Sequence, residues 1–91
     1  MAATYKDLIN TLIKREFGIL GKDRMMGILS DLEMKVDKEG ALVDGDYSIS
    51  ELDALTQTLS DKYGAVAVMG CKVAVGRMAK ENGLKLPRIL S

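Results

Sequence analysis

Histidine and tryptophan are absent from this chain, and cysteine, proline and phenylalanine occur once each. Without histidine, the side chain that most often serves as general base near neutral pH is missing, and so is the commonest metal ligand. A lone cysteine excludes an intramolecular disulfide, and with no histidine beside it there is no nucleophile pair. The single proline, Pro87, leaves the interior without a helix breaker. Long apolar runs are also lacking. None reaches the ~18 residues that cross a bilayer, and the nearest approach, GAVAVMGCKVAVGRMA over 64–79, has Lys72 at its middle. The opening MAATYKDLIN has no signal-like apolar segment. GILGKDR lacks the spacing of a phosphate-binding loop. These absences predict a non-enzymatic protein with no cofactor, no bound metal, no membrane contact and a cytoplasmic setting.

The 91 residues are 47% hydrophobic, supplied by Leu, Ile, Val, Ala and Met rather than aromatics, and 29% charged. That palette belongs to a single helical domain. A chain of this length buries only roughly 60–65% of its unfolded surface, so it needs good packing or a partner subunit. Net charge is zero but unevenly spread: residues 28–54 hold eight acidic and two basic groups, and residues 55–91 hold six basic and two acidic ones. A neutral total argues against a dedicated nucleic-acid binder, whose affinity rests on phosphate neutralisation. Opposite halves are free to pair within one copy or head-to-tail between copies.

Tyr5, Leu8, Ile9, Leu12 and Ile13 fall at helical spacing on one face, predicting a first helix from about Thr4 to Phe17 that stops at Gly18. Met25, Ile28, Leu29, Leu32 and Val36 repeat the pattern, predicting a second over about 21–37. FGILG between them reads as a tight corner. DKEGALVDGDYS (37–48) breaks the periodicity and reads as an exposed acidic connection. Ser48 followed by Glu51 is a capping box that opens a third helix, whose stripe is Leu52, Leu55, Leu59 and Tyr63. A second corner follows at Tyr63-Gly64. A fourth helix runs to about Asn82, with Gly83 placed to cap it.

The expected architecture is therefore all-α, a small four-helix bundle of two hairpins, 1–36 and 49–83, joined by the 37–48 loop and followed by an apolar and basic tail, 84–91. The halves look alike. LINTLIKREFG (8–18) matches LTQTLSDKYG (55–64), and positions 7, 11 and 14 after the glycine are apolar in both: Met25, Leu29, Leu32 and Cys71, Val75, Met78. This predicts an internal repeat of about 46 residues.

The fourth helix is apolar nearly all round, which predicts that it lies at the centre of the bundle. Ala67, Gly70, Cys71 and Ala74 form a stripe of small residues that admits a close helix neighbour. Three short helices do not supply enough surface to wrap the rest. We therefore expect Val66, Met69, Gly70 and Val73, with Leu86 and Ile89 of the tail, to form an interface with a second copy or another protein.

Two other functions have some support in the residues. Against an EF-hand loop, Asp44, Asp46, Ser48 and Asp53 take positions 3, 5, 7 and 12. Leu42 at position 1, Tyr47 in place of the turn glycine and Asp rather than Glu at 12 all depart from it. This leaves a degenerate cation-binding helix–loop–helix as an alternative. The basic C-terminus offers a small DNA-associated regulator as another, but the helix that would read bases is valine-rich and carries no interleaved aromatics. The function expected is a protein-interaction or regulatory module that self-associates through the fourth helix.

Overall fold

In a computed structural model, which describes residues 3–43 and 45–90, the chain is all-helical. Four α-helices are present among the described residues: α1 (Tyr5–Leu20), α2 (Lys22–Asp31), α3 (Ile49–Tyr63) and α4 (Ala65–Glu81). A short 3-10 turn, Arg88–Leu90, closes the chain.

Both long leading helices open on a capping box. Thr4 accepts from the Asp7 N–H, while Asp7 accepts from the Thr4 N–H at 2.8 Å. Glu51 likewise accepts from the Ser48 N–H at 3.0 Å. Each box satisfies amides that a helix start otherwise leaves without partners.

Each leading helix then ends on one glycine that also begins the next helix. Gly21 has φ 90 and ψ 154, and Gly64 has φ 83 and ψ −172. Only glycine holds this backbone region without strain. Gly21 donates to the Phe17 carbonyl and Gly64 to the Ser60 carbonyl. The first corner therefore lies three residues beyond Gly18. Gly18 stays inside α1, exposed and with open space where a side chain would stand. A glycine inside a helix costs about 1 kcal/mol, a penalty set here against the added helical residues that bring Leu20 against the core.

This moves the register in which the hairpins match. The sequence alignment pairs Gly18 with Gly64, whereas in the fold Gly21 takes the role of Gly64. Counting back 5, 8, 9 and 12 residues from each corner gives Glu16, Ile13, Leu12, Ile9 and Leu59, Thr56, Leu55, Leu52, all buried. Thr56 is accommodated by donating to the Leu52 carbonyl at 2.7 Å.

The second helix is shorter than its apolar spacing implied, ending at Asp31. Glu33 takes a left-handed conformation, φ 59. Its N–H donates to the Ser30 carbonyl and that of Met34 to Leu29. This is a Schellman ending with glutamate where glycine is usual. Val36 then leaves the helical pattern and bridges Leu42 in antiparallel fashion. Asp37 drives the change: its carboxylate accepts the N–H groups of Glu39 at 2.9 Å and Ala41 at 3.1 Å, a local alternative to helix.

The connection expected to be exposed is partly core. Leu42 is buried and its N–H donates to the Asn10 side chain at 2.8 Å, pinning the turn to α1. The ring of Phe17 occupies the place a side chain would need at Gly40, which has φ 86.

α4 packs against α1 and α3, with the C-terminal turn beside it. It ends as expected. Gly83, φ 68, follows the cap, and Leu84 donates to the Ala79 carbonyl at 2.9 Å. The tail folds back: Pro87 and Leu90 are buried, and the Tyr5 hydroxyl donates to the Lys85 carbonyl at 2.8 Å. No helix is long and apolar enough to cross a membrane among the described residues.

Candidate interaction surface

α4 has two apolar faces, and the fold covers one. Cys71, Val75 and Ala79 are buried. Val66, Met69 and Val73, at i, i+3 and i+7 on the opposite side, are 80%, 66% and 79% exposed. Ile19, at the end of α1, is 58% exposed. A groove of about 190 Å³ beside the start of α4 is lined by Ile19, Leu20, Tyr63, Val66 and Ala67, with Arg15 and Glu16. Exposed aliphatics scattered singly are ordinary, whereas Val66, Met69 and Val73 form a row along one helix face.

The radius of gyration is 12.0 Å, close to the ~12 Å expected of a compact chain of this length, and in this packing the row lies on the outside of the bundle.

The stripe of small residues has a use within the chain. Gly70 is half-buried because the Arg15 guanidinium folds over it, where any side chain would meet it. The neighbouring Cys71 thiol points to the Glu16 carboxylate of α1, Sγ to Oε1 3.9 Å. Small side chains thus admit α1 and its charged residues against α4. Of the residues expected at an interface, Val66, Met69 and Val73 form the open stripe. Gly70 lies under Arg15, and Leu86 and Ile89 are half-buried against the core.

Glu16 is a buried charged residue that the sequence pattern leaves unmarked. It sits one turn after Leu12 on the apolar face of α1, and that position was the available signal. Burial raises its pKa, and the Arg15 guanidinium, 3.9 Å away, opposes the rise. The same burial, with the Glu16 carboxylate alongside, pushes the Cys71 thiol up to about 11. A protonated, buried thiol is a poor nucleophile, so the pair is a packing contact with polar character.

Among the described residues, those of the degenerate cation loop form no ligand cluster. Asp44 lies outside the described residues. Asp46 is exposed. Ser48 is committed to its cap, accepting from the Ser50 N–H and donating to Glu51 at 2.6 Å. Hydrogen bonding to Ser48 lowers the pKa of Glu51. Asp53 faces a shallow groove shared with Pro87 and Arg88. Among the described residues no three acidic, cysteine or histidine side chains gather as metal ligands would.

On α4 the open stripe continues from Val73 to Arg77 and Lys80, both exposed. Arg77 pairs with Glu81 at 2.8 Å. Lys72 flanks the stripe, and no acidic residue occupies the first turn. The apolar row therefore sits in a basic surround.

No protein-family model, curated protein or solved structure matches this chain.

Proposed function

We propose that the protein is a non-enzymatic interaction or regulatory module that self-associates through the exposed face of α4. One observation carries the reading: Val66, Met69 and Val73 stand open in a row along α4, whereas the other helices expose only Ile19 and Tyr63 among their described large apolar side chains. The working mechanism is apolar burial. A contact there removes three aliphatic side chains and Ile19 from water, and full burial of such a side chain contributes about 1.5–3 kcal/mol before the costs of association.

The experiment is thermal unfolding over a hundredfold range of protein concentration. An association that involves only the folded chain raises the midpoint as concentration rises. Val66→Lys and Val73→Glu replace exposed residues, so they leave the fold intact and abolish the concentration dependence. A wild-type midpoint that does not move with concentration contradicts the reading.

A further inference from the structure

The identity of the second contact surface follows from charge, on the reading that α4 mediates self-association. If two copies met stripe to stripe, like charges would meet. Running parallel, Lys80 faces its own equivalent, Arg77 being paired with Glu81 within each copy. Running antiparallel, Lys80 approaches the start of the other α4, a positive helix end with no acidic side chain in its first turn. Either sense places basic groups opposite positive ones, and such juxtapositions disfavour a contact.

Elsewhere the chain carries a surface of opposite character. Between the end of α2 and the start of α3 lies a groove of about 350 Å³. Leu32, Met34 and Val43 supply its apolar lining, and Glu33, Asp46 and Glu51 outnumber Lys35 at its edge. Val43 is itself an exposed aliphatic. The groove is thus apolar with an acidic rim, and the stripe is apolar with a basic surround.

We propose that the α4 stripe of one copy docks in the acidic groove beside the α2–α3 connection of the next. The contact joins two different surfaces, so each copy keeps one of each free, and association continues head-to-tail rather than stopping at a symmetric pair. Opposite charges orient the encounter and make it weaken with salt.

A mixing experiment tests this. Val73→Glu disables the stripe and keeps the groove. Glu33→Lys with Asp46→Lys disables the groove and keeps the stripe. All three positions are exposed, and far-ultraviolet circular dichroism verifies that both variants are folded. Each variant alone is expected to run as a monomer on gel filtration with light scattering, and an equimolar mixture to form a one-to-one pair that grows no further. Raising ionic strength from about 0.01 to 0.15 M, where the screening length falls from about 30 to 8 Å, weakens the mixed pair several-fold. If the wild-type chain associates but the mixture stays monomeric, the head-to-tail contact is wrong and self-association stands. If the wild-type chain is monomeric at every concentration, both readings fail together.

Discussion

The two hairpins share a corner and differ in the helix beyond it. In each, a capping box starts a long helix, the same four positions before the glycine are buried, and one glycine turns the chain. After Gly21 the chain makes a short α2 with polar residues on its open side, stopping at Asp31. After Gly64 it makes a 17-residue helix with valine and methionine on its open side. The first hairpin spends its apolar residues on one core apart from Ile19, at the end of α1. The second has more of them than the core accepts. The shared half of the design explains the fold, and the surplus in α4 is the ground for the proposed self-association.

The comparison is broken most severely in the shared half. Leu12 and Leu55 stand nine residues before their corners and are both fully buried. Leu12→Ala and Leu55→Ala should each cost about 2–5 kcal/mol in denaturant unfolding. Similar losses confirm equivalent places in the core, and a loss at only one of them breaks the equivalence.

The corner glycines come next. Gly21→Ala and Gly64→Ala have open space for the added methyl, so the backbone alone sets the cost, about 1–3 kcal/mol each. Gly18→Ala should have the opposite sign, stabilising by about 0.5–1 kcal/mol, because Gly18 is helical and exposed. Chemical denaturation of these variants decides where the first hairpin turns. A destabilising Gly18→Ala beside a harmless Gly21→Ala would return the corner to Gly18.

A smaller effect separates the second helices at their ends. α4 ends with Gly83 in the left-handed region and α2 with Glu33. Glu33→Gly relieves that position and should stabilise by at most about 1 kcal/mol, whereas Gly83→Ala should destabilise by a similar amount. Thermal midpoints report both.

The smallest effect distinguishes Glu16 from its counterpart Leu59. Burial raises the pKa of Glu16 in the folded chain above the ordinary value of 4.5. Between those two values the folded state holds more protons than the unfolded state, so the contribution to stability declines as pH rises through that window. Glu16→Gln removes the decline. The variant should gain in melting temperature over wild type at pH 7, and the gain should shrink toward pH 4. A pH-independent difference would show that the carboxylate's burial is not its cause.

Local chemistry made much of this fold legible. The Ser48–Glu51 box and the Gly83 ending are set by residues adjacent in sequence, and both appear as expected. The first corner was misplaced because Gly18 and Gly21 both qualify by composition. What separates them in the fold is backbone conformation: Gly21 takes the positive-φ corner, φ 90, while Gly18 stays helical. The end of α2 was missed because the spacing through Val36 stays apolar, while the Asp37 turn competes for the same backbone. The open face of α4 was half legible. A helix with polar residues on one side announces which side meets water. α4 has valine on both, so periodicity yields an expectation of burial and leaves the covered side unmarked. Glu16 lies on an apolar stripe, where charge alone gives no warning that it is buried.

The most direct test of α4 as a contact surface is the solution mass by light scattering after gel filtration, over a tenfold range of loading concentration. Self-association through α4 predicts a wild-type mass that exceeds the 9.9 kDa of one chain and climbs with concentration, and a Val73→Glu variant that stays at one chain throughout. A wild-type mass fixed at one chain across the range would contradict it.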